Sequence, residues 1–253
     1  MQFAALGVLA GSWGAHLPSV KQRFALDEAG LAMVLLAAAL GAVSSLLFAG
    51  RVVAWLGARR AALGGGLVMS LLLGLVLLLP GLGALLAVAL VFGAGMSLFD
   101  VSINSEGSEL EHLSGRAIMS NLHGMFSLGG MTGAALVAAL LRAGVAPALQ
   151  LGAIAAGLAV VIGVAARGML DTHGSGGEGE QAHFAWPRGV LLLIGVLILT
   201  GMIAEGVMYD WSVLYLEQEL GLPQAQAAVG YAVFSAAMAA ARFGGDALRE
   251  RYP

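Results

Sequence analysis

The chain has 253 residues, 59% of them hydrophobic and only 11% charged, with a mean hydropathy of +0.90 and a formal charge of −3. Soluble domains run near 45–50% apolar and about 25% charged, so this composition excludes a soluble enzyme, a nucleic-acid binder and a disordered chain. The absence of cysteine removes disulfides, thiolate metal sites and thiol nucleophiles, and the 38 glycines suit spanning helices that approach one another closely.

A bilayer core of about 30 Å takes about 20 helical residues at 1.5 Å each. Eight apolar runs reach roughly that length: 3–20, 29–49, 61–79, 82–103, 117–141, 148–166, 189–215 and 225–248. Turn-forming or charged pairs punctuate them, with Arg59-Arg60 after the second, Pro80-Gly81 after the third and Ala146-Pro147 after the fifth. The runs are continuous and rich in Leu, Ala and Gly rather than alternating, which predicts helices and not barrel strands. The first run lacks a basic n-region, carries His16 and Pro18 near its end and is followed by further spans, so it reads as a span rather than a cleaved signal.

Arginine and lysine placement sets the orientation. A cytoplasmic N-terminus puts Arg51, Arg59, Arg60, Arg116, Arg167, Arg188, Arg242, Arg249 and Arg251 inside and only Lys21, Arg23 and Arg142 outside. The acidic, Gly/Ser-rich stretch 171–181 then becomes a cytoplasmic loop, the one linker-like composition in the chain. Three parts follow: a six-helix bundle over 1–170, a loop over 171–188, and two helices over 189–253.

Six spans, a hydrophilic loop and two more spans read as a six-plus-six design cut short at its C-terminal end. Between the second and third spans the sequence runs Gly50-Arg51-Val52-Val53-Ala54-Trp55-Leu56-Gly57-Ala58-Arg59-Arg60. This resembles the signature loop of major facilitator superfamily transporters. Gly50, Gly57, Arg59 and Arg60 match, while Ala54 and Trp55 replace its acidic and basic members. A second copy follows the eighth span, where Glu250 and Arg251 take the acidic and basic places and Asp246 stands at the first glycine. Other segments are similar to the fucose-permease-like branch and to bacterial inner-membrane members near it: 12–18, 100–104, 123–129, Ala204-Glu205-Gly206 and Asp210-Trp211. His16 departs from the arginine expected there, and Gly129-Gly130 lacks the proline of the drug-antiporter motif.

The resemblance implies an all-α membrane protein of the major facilitator fold. Its first six-helix bundle is complete, two helices of the second are present, and it sits in a bacterial inner membrane as a monomer. It implies no enzyme and no cofactor, but secondary active transport of a sugar or similar polar metabolite by alternating access, coupled to protons. Two alternatives stand beside it: proton-driven efflux of hydrophobic compounds, and a truncated remnant that does not transport. The partners expected are the lipid bilayer, a small solute and the proton.

An ionisable group in mid-membrane costs about 2.5–3.5 kcal/mol on insertion scales and marks a pathway or proton site. Asp100 sits in the fourth span with Asn104 one turn on and on the same face; the resemblance implies a proton-binding acid there, against the plainer reading of an acid paired with Arg116. Glu205 is the deepest acid and a coupling or substrate candidate, or else a structural hydrogen-bonding group. Asp210 and Trp211 are expected to point elsewhere, nearer the outer surface. Trp13 and His16 share a face suited to stacking and bonding a sugar, or form an interfacial pair. Asn121 and His123 open the fifth span, where an imidazole with an ordinary pKa near 6.5 could relay protons or simply pack.

Gly50, Gly57, Arg59, Arg60, Arg242, Glu250 and Arg251 form a candidate gating set, since charge pairs at helix ends can latch one state and release in another. Plain positive-inside anchoring explains the arginines equally. Glu106, Glu109, Glu111 and His112 read as a solvated loop rather than a metal site. No Gly-Lys-Ser/Thr phosphate loop is present, which leaves ATP drive without support.

Overall fold

The computed structural model describes residues 1–170 and 188–251, and of residues 247, 249 and 250 only the backbone. Regular structure among them is helical: α1 Gln2–Ala15, α2 Leu17–Arg23, α3 Glu28–Leu56, α4 Ala58–Leu75, α5 Leu82–Ser114, α6 Met119–Arg142, α7 Pro147–Ala166, α8 Val190–Gln218, α9 Gln224–Phe243 and α10 Gly245–Arg251. A 3-10 turn, Val76–Leu78, extends α4. Six of these helices, α3 to α8, are long and apolar enough to cross a membrane. The first predicted run is divided between α1 and α2, and the eighth between α9 and the start of α10.

The break in the first run has a local cause. Pro18 opens α2, and a proline ring collides with the carbonyl four residues back while offering no N–H of its own. The helix therefore stops at Ala15 and restarts after His16, whose φ and ψ are −101° and 3°. At Gly57 the chain turns from α3 into α4 with φ +84°, a conformation that L side chains resist.

One expectation is overturned. Glu106, Glu109, Glu111 and His112 are not a solvated loop, because α5 runs unbroken to Ser114 and ends only at Gly115, which adopts the left-handed cap conformation with φ +64°. The stretch beyond residue 103 holds Glu106, Glu109, Leu110, Glu111 and Leu113 as good helix formers and no proline, so polarity alone does not stop the helix.

Packing rests on glycine. A Cβ on Gly7 or Gly11 of α1 would collide with the carbonyl oxygen of Phe126 or Gly130 on α6; one on Gly129 or Gly133 of α6 would collide with that of Ala4 or Val8 on α1. Two small-xxx-small pairs thus interlock, each backbone lying directly on the other. The α3–α5 crossing repeats the device, with Gly41 against the Leu90 carbonyl and Gly93 against that of Ala38. α4 packs between α5 and α7, and the remaining face of α6 lies along α9. The fully buried side chains Leu6, Leu9, Met69, Phe99 and Tyr231 mark the core between them. The first half of α8, 190–204, is exposed throughout.

Candidate functional site

A cavity of about 300 Å³ opens where α1, α3, α5, α6, α8 and α9 converge. Its α3 wall is aliphatic, with Leu35, Ala38 and Ala39, and elsewhere aromatic rings stand among Leu6, Leu9, Met69 and Met96. Trp13 lies 5.6 Å from Phe92, Phe126 stands edge-on to Tyr209 at 6.4 Å, and Tyr209 lies 5.0 Å from Tyr231. Asp210 supplies the carboxylate on this wall. It stands one helical turn beyond Gly206, which also lines the cavity, so both belong to one face of α8. The structure thus brings Trp13 and Asp210 together, with Asp210 on the central cavity rather than near a surface. Its neighbour Trp211 packs elsewhere, against Leu17, Leu31 and Leu214.

His16 does not join Trp13. The break after α1 buries it fully, with Nδ1 3.1 Å from the Ser19 hydroxyl. Gln224, at the start of α9, donates to that hydroxyl and to the Ala15 carbonyl, each at 2.9 Å. Lys21 meets Glu28 at 2.6 Å and Gln218 at 2.9 Å nearby. This end of the molecule therefore joins α1 and α2 to α8 and α9.

At the opposite, arginine-rich end, Arg242 enters from α9. Its Nη2 lies 2.9 and 3.0 Å from the two Glu205 oxygens, and its Nη1 donates to Ser127 Oγ on α6 at 2.7 Å. Glu205 is thereby neutralised rather than left to the cavity. His123 stands one helical turn before Ser127, the residue that Arg242 reaches, and its ring meets Phe3 edge-on at 5.3 Å. Asp100 accepts from Asn104 Nδ2 at 3.1 Å, while the same nitrogen donates to the Asp100 carbonyl at 2.9 Å. Asn104, not Arg116, is its partner.

The first amides of α6 need acceptors, and two carboxylates provide them. Glu111 accepts from Ile118 and Met119 N–H at 2.9 and 3.1 Å. Asp246 accepts from Ser120 and Asn121 N–H at 3.0 and 2.7 Å, and Ser120 Oγ donates to the Arg242 carbonyl at 2.6 Å. Asn121 thus engages through its backbone. Anionic oxygens here also complement the positive end of the helix dipole.

Of the candidate gating set, Arg242 sits on Glu205. Gly50 is exposed on α3, Arg59 is half-buried and Arg60 exposed, with no ion pair to either among the described residues. Arg251 lies on α10, and the Glu250 side chain falls outside the described residues, as does the loop 171–187. Among the described residues no group of three His, Asp or Glu side chains is placed to hold a metal. Ser127, Gln224 and Tyr231 were not singled out from the sequence; serine, glutamine and tyrosine in apolar helices carry little signal until a partner helix is placed beside them.

The sequence profile of the Major Facilitator Superfamily matches residues 2–253. The chain belongs to this superfamily. Among relatives, an uncharacterized MFS-type transporter of Yersinia pestis is 35% identical over 246 residues, covering 97% of this chain and 64% of that protein. The uncharacterized transporter y4wD of Sinorhizobium fredii is 35% identical over 254 residues, covering 97% and 65%. Membrane protein MosC of Rhizobium meliloti is 28% identical over 253 residues, covering 98% and 60%. This superfamily chain therefore spans about two thirds of the length of the relatives it matches. A crystal structure of the nucleoside transporter NupG superposes with a TM-score of 0.65 at 16% identity, over 96% of this chain and 64% of that one. The all-helical, multi-pass fold is that of major facilitator transporters.

Proposed function

We propose that the chain acts in secondary active transport of a small solute, bound in the central cavity and released by alternating access. The observation that carries this reading is the cavity itself. It is walled by helices from both sides of the 171–188 segment, and hydrogen-bonded contacts join those two sides above and below it. In this reading 1–170 forms one rocking body and 189–253 belongs to the other. The Gln224 and Lys21 contacts close one mouth, and the Arg242 and Asp246 contacts close the second. The charge placement supports a bacterial inner-membrane location, a cytoplasmic N-terminus and an arginine-rich end facing the cytoplasm.

Proton coupling belongs to the same proposal. In this reading Asp100 on α5 and His123 on α6 stand on one body and the Glu205–Arg242 pair on the other, so a proton gained or lost among them changes the attraction between the bodies. The sugar expectation rests on the branch resemblance alone. The aromatic and aliphatic walls favour a second reading, export of compounds with an apolar face.

The test is proton flux into proteoliposomes holding the chain, with an internal pH dye and a panel of sugars and organic amines. Solute-dependent flux that disappears in Asp100→Asn supports coupling through Asp100. Flux that responds normally to a pH gradient in that variant removes Asp100 from the mechanism, and no solute-dependent flux in the wild type removes the transport reading.

A further inference from the structure

We propose that the central cavity takes a small organic cation, with Asp210 as its counter-charge and the aromatic walls around it. The proposal rests on the reading of this cavity as the substrate site and adds the charge of its occupant.

Four observations carry it. First, among the described residues Asp210 is the one carboxyl on the wall, and no lysine, arginine or histidine lines the cavity. Second, the neighbouring acids are already engaged: Glu205 by Arg242, Asp100 by Asn104 and Asp246 by the α6 amides. Asp210 makes no hydrogen bond and no ion pair among the described residues. Third, the rings of Trp13, Phe92, Phe126, Tyr209 and Tyr231 line the same space, and electron-rich ring faces attract cations. Fourth, an aliphatic α3 wall gives an organic group apolar surface to cover.

The rival occupants fit less well. A carboxylate or phosphate would meet Asp210 with no cation to offset it. A neutral hydrocarbon would cover the half-buried Asp210 carboxylate and displace its water without offering a partner, which is costly. A neutral sugar needs many donors and acceptors around its ring, and this wall is mostly carbon. An ammonium group with an apolar body satisfies the acid, the rings and the aliphatic face together.

The experiment uses a thiol placed in the cavity. A Cβ built on Gly206 meets nothing within 4 Å, and the chain has no cysteine of its own, so Gly206→Cys reports from this wall alone. The protein in lipid nanodiscs at pH 8 is reacted with methanethiosulfonates carrying a trimethylammonium, a sulfonate or a neutral methyl group. Rates are normalised to those with a free thiol in solution. The expected result is a cationic reagent about 10-fold faster than the anionic one, as a nearby fixed charge would impose. Asp210→Asn in the same background brings the ratio close to one, while Asp210→Glu keeps it and shows that the fold tolerates change there. Phenyltrimethylammonium slows labelling and its neutral isostere tert-butylbenzene does not.

Equal rates for the charged reagents, a ratio untouched by Asp210→Asn, or equal protection by the neutral isostere overturns the cation assignment. Protection by either compound in those cases leaves the cavity standing as a substrate site. A thiol that reacts with none of the three reagents overturns both, because the cavity then has no path to water.

Discussion

Arg242 Nη2 lies 2.9 Å from one Glu205 oxygen and 3.0 Å from the other, tying the C-terminal end of α9 to the middle of α8. The two side chains are only 22% and 23% exposed. Breaking a fully buried pair from one side costs about 3–5 kcal/mol, and the residual exposure lowers that. Arg242→Ala and Glu205→Ala are each expected to destabilise the detergent-solubilised protein by about 2 kcal/mol. The double variant should lose less than the sum, since the second deletion removes the uncompensated charge. Chemical unfolding of the four members of the cycle measures it, and strict additivity would show that the pair carries no coupling.

The α1–α6 crossing predicts a sharp contrast between glycines. Gly11→Ala places a methyl on the Gly130 carbonyl and is expected to cost about 1–3 kcal/mol, the usual range for overpacking. Gly64→Ala has open space around it and should be neutral or stabilising by up to about 1 kcal/mol through helix propensity. Thermal unfolding of the two variants side by side is the measurement.

Asp246 is the acceptor for Ser120 and Asn121 N–H across the α6–α10 contact. Asp246→Ala removes both acceptors and is expected to cost about 1 kcal/mol, in the range of a lost helix cap. Hydrogen exchange should accelerate at the Ser120 and Asn121 amides while Ile118 and Met119, held by Glu111, stay protected. Acceleration at all four would mean that the two carboxylates do not act separately.

Gln224 holds the opposite end, donating to Ala15 O and Ser19 Oγ. Gln224→Ala leaves a carbonyl and a hydroxyl without that donor, at about 1–3 kcal/mol if water does not replace it. In the alternating-access reading it also favours the state open at this mouth. A thiol introduced at Gly206 should then label faster from that side, and an unchanged rate would show that Gln224 does not hold the mouth closed.

The helices were legible because length and hydropathy dictate them: α4, α6, α7 and α8 fall close to the predicted runs, while α3 runs seven residues past its own. Boundaries set by single residues were less so. Pro18 stops α1 inside a stretch that read as one span, and α5 continues through Glu106, Glu109 and Glu111 where hydropathy falls, because a proline ring ends a helix and polarity alone does not. Site residues followed the same division. Asp210 and Glu205 stood out as acids in an apolar span, yet five residues of helix place them in different surroundings, one on the cavity and one against Arg242. No spacing rule could pair Glu205 with an arginine 37 positions away, or Asp246 with amides 125 and 126 positions away.

The two seams of α6 have unlike mechanical properties. Toward α1, main chain rests on main chain at Gly7, Gly11, Gly129 and Gly133, so the closest contacts there have no rotamer to change. Toward α9, the contacts pass through the Ser235 hydroxyl opposite Gly130, the Phe243 ring opposite Gly124 and the Ser120 hydroxyl, all groups that can swing and re-bond. A helix clamped by its backbone on one flank and held by movable side chains on the other behaves as the blade of a shear. In the alternating-access reading, displacement falls on the α9 flank, and α1 travels with α6 as a single lever carrying Trp13 and Phe126 together.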